Sequence, residues 1–151
     1  MSTEIKLRFE SFTNPDLDEK LGEKREFIRL FCAVKIKGKD GWMDSCDAIV
    51  DTGAPMSVIP LDLWTDAETE ILTEHEIRGI SPRKECAVPA LVGNVRVVLL
   101  DENSNRSDAV AVTSYLALTN RVPLIVGFRD LLERYDLFFS YVKNDAWIRM
   151  E

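Results

Sequence analysis

The stretch Ala48-Ile49-Val50-Asp51-Thr52-Gly53-Ala54-Pro55-Met56-Ser57-Val58-Ile59-Pro60 decides how this chain is read. An apolar run feeds straight into an aspartate. A small hydroxyl residue and a glycine follow, and a second apolar run begins at once. The pattern predicts a strand ending at Val50, a tight turn in which Gly53 supplies backbone freedom, and a second strand after it. Asp51 then sits at the tip of a rigid element, where a reactive group is best held.

Well downstream comes Pro123-Leu124-Ile125-Val126-Gly127-Phe128-Arg129-Asp130-Leu131-Leu132, an apolar run closed by a glycine and followed by a helix-like start. Together the two stretches resemble, in order and flanking pattern, the paired signatures of single-lobe, retroviral-type aspartic proteases (retropepsins). The resemblance runs from about Ile28 to Tyr141. It implies an all-β, closed-barrel acid-protease fold with one or two short helices, forming a single domain over residues 1–151.

The residues between agree with an all-β class. Ile5, Leu7 and Phe9 alternate with charged residues, as in a half-buried strand. Residues 11–25 are polar and read as a loop. Phe27 to Ile36 and Trp42 to Val50 read as a hairpin around Gly38-Lys39-Asp40-Gly41, and Cys32 and Cys46 are expected opposite each other on its arms. Leu61 to Leu72 has helical composition, and Glu74 to Ile80 and Cys86 to Leu100 read as strands. Ala109 to Ala117, Pro123 to Val126, Leu137 to Tyr141 and Trp147 to Met150 are further strands, with a helical turn over Arg129 to Tyr135. Many short strands with regular turns point to a barrel-like domain.

Hydrolysing a peptide without metal or covalent intermediate takes two carboxylates around one water. One accepts the water's proton and the other hydrogen-bonds the scissile carbonyl. Asp62, Asp66, Asp101, Asp108, Asp130, Asp136 and Asp145 all lack the Thr-Gly that follows Asp51. A second copy of the chain must therefore supply the second carboxylate, and the expected state is a two-fold homodimer acting on a polypeptide. The resemblance implies catalytic roles for Asp51, Thr52 and Gly53. It implies substrate contacts for Ala54, Ile125 and Gly127, and for Ile80, Ser81 and Pro82 at the tip of a flap spanning about Glu76 to Leu91. Apolar flanks at the scissile bond are expected from Val50, Val58, Ile80, Pro82 and Ile125.

Two departures from the retroviral pattern stand out. Pro55 occupies the position of an acidic residue, and Phe128 that of its arginine partner, with Arg129 displaced by one. The extension before Phe27 is also long, so any clamp of chain ends falls to Ile5–Phe9 and Trp147–Met150. The alternative reading is a catalytically silent dimerisation or peptide-binding module of the same fold. An aspartyl-phosphate enzyme is disfavoured, because Gly53 stands where its second aspartate belongs and no glycine-rich phosphate loop exists.

Composition closes off other classes. At 151 residues and 46% apolar the chain has the material for one packed core. A net charge of −7 without a basic block argues against nucleic acid or anionic membrane as partners. The start Met1-Ser2-Thr3-Glu4 reads as no signal peptide, and the expected compartment is the cytoplasm. Cys32, Cys46 and Cys86 with the lone His75 build no zinc site, so neither metal nor other cofactor is expected.

Overall fold

The computed structural model describes residues 3–77 and 88–150. Its strands in chain order are β1 (Thr3–Lys6), β2 (Arg8–Thr13), β3 (Glu26–Gly38), β4 (Gly41–Trp42), β5 (Cys46–Val50), β6 (Ser57–Ile59), β7 (Glu70–Ile77), β8 (Val88–Leu100), β9 (Val110–Ala117), β10 (Ile125–Val126), β11 (Asp136–Ser140) and β12 (Asp145–Met150). Two short helices, α1 (Pro15–Leu21) and α2 (Leu61–Asp66), and a 3-10 turn at Leu132–Arg134 complete the chain. The class is all-β.

Strand pairing closes a ring. β3 pairs with β5, β5 with β10, β10 with β6, β6 with β9, β9 with β8, and β8 back with β3. The closure is not a plain barrel, because β2, β4 and β7 extend the sheet outside it and β1, β12 and β11 form a separate three-stranded sheet. β3 can serve both sides because it is 13 residues long. Its first half pairs with β2 and its second half with β8.

Burial follows the two-residue period that strands impose. Cys32, Val34 and Ile36 of β3 are buried in alternation, as are Val112, Ser114 and Leu116 of β9. Ile5 and Ile148, facing each other across β1 and β12, are fully buried and join the small sheet to the same core. Each such side chain contributes about 1.5–3 kcal/mol of transfer free energy. Trp64 of α2 is buried as well, its indole N–H donating to the Ala117 carbonyl at 2.7 Å.

Several expectations need correction. Residues 15–21 form a helix rather than a loop. Asn14 caps it by accepting from Leu17 N at 3.1 Å, Pro15 opens it, and Gly22 ends it with a left-handed φ of 73°. The helix from Leu61 stops at Asp66, and from Glu70 the chain is drawn into β7 by pairing with β8. The hairpin after Gly38-Lys39-Asp40-Gly41 breaks after Trp42, and the register shifts. Cys32 therefore faces Ala48 and Cys46 faces Val34, and both thiols are free. Burial pushes the Cys32 thiol up to about 12, and that of Cys46 up as well. Within the Ile5–Phe9 and Trp147–Met150 stretches, β1 and β12 pair with each other inside the chain, from Thr3 opposite Met150 to Lys6 opposite Trp147. Among the described residues, no helix is long and apolar enough to cross a membrane.

Candidate active site

β5 delivers Asp51, and β10 makes its position rigid. β10 lies between the two arms of the Asp51 loop, parallel to β5 through Ile125 opposite Ile49, and antiparallel to β6 through Ile125 opposite Val58. The Asp51 N–H donates to the Val126 carbonyl at 3.1 Å, and Ile49 N to the Leu124 carbonyl at 2.9 Å. One apolar segment distant in sequence, Leu124–Val126, thus fixes the aspartate's backbone from one side.

The carboxylate is half-buried, and its Oδ1 accepts the Gly53 N–H at 2.8 Å. The turn closes through Ala54 N to the Asp51 carbonyl at 3.1 Å. Gly53 earns its place by space rather than by backbone angle, since the glycines with left-handed φ among the described residues are Gly22 and Gly41. A Cβ on Gly53 would stand 3.2 Å from Oδ1 and crowd the carboxylate. Thr52 is exposed beside it and free to meet another molecule, and Ala54 is half-buried.

The second stretch holds the loop from behind. Phe128 N donates to the Ala54 carbonyl and Arg129 N to the Pro55 carbonyl, both at 3.0 Å. The Gly127 N–H donates to the buried Ser57 hydroxyl at 3.0 Å. Gly127, expected to touch substrate, is buried, and the space above its Cα is filled by the Ala54 and Met56 backbones. Ile125 is half-buried and packs against Val58, Ala90, Ala117 and Val122. Val58, offered above as a cleft residue, is itself buried in that cluster. Sequence reasoning missed Ser57, whose only signal is a hydroxyl opening an apolar run.

At the altered pair, no ion pair joins the loop to Arg129. Its guanidinium lies 3.8 Å from Asp130 and is exposed, and Phe128 is exposed too. The loop is tied by main-chain hydrogen bonds instead. The arms of the expected flap pair antiparallel from Glu70 opposite Asn94 to Ile77 opposite Val88. Its tip, with Ile80, Ser81 and Pro82, lies outside the described residues. His75 is exposed and stacks on Tyr115 with ring centroids 6.0 Å apart.

An all-β ring of strands, an Asp-Thr-Gly turn at its rim and an apolar-Gly segment clamping that turn define an acid-protease type of domain. A family model described as retroviral aspartyl protease matches residues 29–138, and the chain belongs to that family. A crystal structure of a retropepsin-like aspartic protease from Rickettsia conorii is similar at 12% identity, covering 95% of this chain and 93% of that one, with a TM-score of 0.49. No curated protein matches the chain.

Proposed function

We propose that residues 1–151 form one aspartic endopeptidase domain that works as a homodimer. The Asp51 carboxylates of two copies flank one water and hydrolyse a peptide bond of a polypeptide substrate. One carboxylate takes the water's proton as it attacks, while the other, protonated, hydrogen-bonds the scissile carbonyl. Thr52 bonds across the two-fold axis and fixes the two loops against each other. Gly53 and Ala54 present backbone to the extended substrate, with Ile125 beside them and Ile80, Ser81 and Pro82 contributed by the flap. Gly127 holds the loop in place. The cytoplasm is the proposed setting, which suits the free thiols Cys32 and Cys46.

The observation that carries this reading is the Asp51 carboxylate itself. It is held by the Gly53 N–H at the end of a strand that β10 braces, with an exposed Thr52 next to it. The test is cleavage of a denatured protein by the purified chain and by Asp51→Asn. Asparagine keeps the shape but relays no proton. Wild type should cleave and be blocked by a statine-type inhibitor, and the variant should be folded and inactive. Activity retained in Asp51→Asn overturns the mechanism. An inert, folded, dimeric wild type favours the silent binding module.

A further inference from the structure

Side chains alternate between the two faces of a strand, so register tells which residues share the face that carries Asp51. Phe31 of β3 lies opposite Ile49 of β5. The N–H groups of Ile49 and Asp51 both donate to the β10 segment, so the strand-like course of β5 continues to the aspartate. Cys32, Val34, Ala48 and Val50 point the other way and are buried in the core. The Asp51 face therefore also holds Ile49 and, two residues before Phe31, Arg29 on β3. Ile125 joins it from β10, opposite Ile49.

Arg29 is exposed but held in place. Its guanidinium carbon sits 4.3 Å from the centre of the Phe12 ring, and Phe12 packs on Phe27 with ring centroids 5.6 Å apart. A ring face orients a guanidinium without neutralising it. Two other carboxylates of this face are already occupied. Glu10, the register partner of Arg29, lies 3.1 Å from Arg8 Nε, and Asp47 lies 2.6 Å from Arg8 Nη2. Among the described residues Arg29 forms no ion pair, on a chain whose net charge is −7. The Phe12 ring that orients it belongs to β2, which precedes the residues matched by the family model, 29–138.

We infer that Arg29 is a specificity-determining residue that reads an acidic side chain of the polypeptide near its scissile bond. The inference rests on the endopeptidase reading and names a substrate class for it. An extended substrate advances about 3.3 Å per residue, and neighbouring strands lie about 4.8 Å apart. A guanidinium one strand away from Asp51 thus meets a side chain about two or three residues from the bond that is cut. Arginine's planar fork grips a carboxylate through two N–H groups at once, which a neutral amide cannot match. Ile49 and Ile125 receive the apolar residues beside the scissile bond, and Arg29 the acidic one beyond them.

The test uses peptides built on a site that the full chain cuts in a denatured protein. They are blocked at both ends, and each flanking position carries Glu, Gln or Lys in turn. Cleavage is measured at about pH 6, above the usual Glu value of about 4.3. At one of those positions wild type should favour Glu over Gln in kcat/KM by about threefold or more. Arg29→Glu should reverse the order and favour Lys. Lys39→Glu, the same charge change in the exposed turn at the other end of β3, should keep the wild-type order. Lost packing alone would slow all the peptides alike and reverse nothing. Salt reads the same contact without a variant, and decides if Arg29→Glu is unfolded or inactive. The wild-type preference for Glu should shrink as salt is raised. Equal kcat/KM for Glu and Gln at every position, a preference that Arg29→Glu leaves in place, or one that salt does not change, overturns the inference and leaves the endopeptidase standing. A wild type that cuts no site in a denatured protein overturns both.

Discussion

Gly127→Ala isolates the contact that holds the Asp51 loop. The added Cβ would stand 2.7 Å from the Ala54 carbonyl oxygen and 2.7 Å from both the carbon and oxygen of the Met56 carbonyl. All three are main-chain atoms, so no rotamer relieves the contact. Ordinary contact begins near 3.4 Å, so the loop or β10 must move by about 0.7 Å. Overpacking of this kind costs about 1–3 kcal/mol, and each kcal/mol should lower Tm by about 2–4 °C in a chain of this size. The movement also strains the hydrogen bonds from Gly127 N to Ser57, Phe128 N to Ala54 and Arg129 N to Pro55. A misplacement near 1 Å at a catalytic group reduces rate by roughly a hundredfold, so kcat/KM should fall about ten- to a hundredfold. The control is Gly93→Ala in β8, whose Cβ would meet the Glu70 carbonyl oxygen at 2.6 Å and Leu116 Cδ1 at 2.8 Å, on strands outside the Asp51 loop. Both variants should lose similar stability in thermal unfolding, and only Gly127→Ala should lose the activity of its folded fraction. A Gly127→Ala protein with wild-type Tm and kcat/KM would refute the reasoning. So would an equal loss of activity in Gly93→Ala, which would make the effect one of general stability.

Asp101→Ala should lower stability at neutral pH and matter less in acid. Burial opposes the charge on Asp101, but bonds from Lys6 N at 2.8 Å, Asn105 Nδ2 and N at 3.1 Å and Asn103 N at 2.9 Å outweigh it and hold its carboxyl below the usual range. A depressed carboxyl stabilises the fold above its unfolded value of about 3.9 and ceases to do so as pH falls through the lowered folded value. Thermal unfolding of both proteins at pH 7, 5 and 3 should show a Tm gap that narrows at the acid end, and a constant gap would count against the account. Trp64→Phe removes the donor to the Ala117 carbonyl and leaves that buried acceptor unpaired, at about 1–3 kcal/mol. Urea unfolding should show the loss, and an unchanged midpoint would mean that water or a shifted neighbour replaces the indole.

What could be read from the chain was whatever depends on neighbours in sequence. The alternation of Ile5, Leu7 and Phe9 with charged residues announced strand structure at the start of the chain because side chains on a strand point to opposite faces in turn. The Asp-Thr-Gly turn was legible because its own bonds are local, Gly53 N to Asp51 Oδ1 and Ala54 N to the Asp51 carbonyl. Helix α1 was legible too and was passed over. It has Asn14, Pro15 and Gly22 in capping positions but buries no residue, so no apolar stripe drew attention to it.

Pairing between distant segments decided the rest. Glu70 to Leu72 left a helix-like composition for a strand because β8 offered a ladder of hydrogen bonds. Cys32 and Cys46 missed each other because the hairpin breaks after Trp42, and a change of register moves every partner along the strand. No local pattern could say that β1 and β12 would pair within the chain, with β11 on the other side of β12. Nor could one say why position 127 is glycine. Its backbone angle makes no demand that only glycine can meet, and the demand comes from the Ala54 and Met56 main chain lying against it. Asp51 was identifiable as a residue from the sequence alone. Its orientation is a tertiary fact, because β10 and Ser57 must arrive from elsewhere in the chain before the loop has anything to rest on.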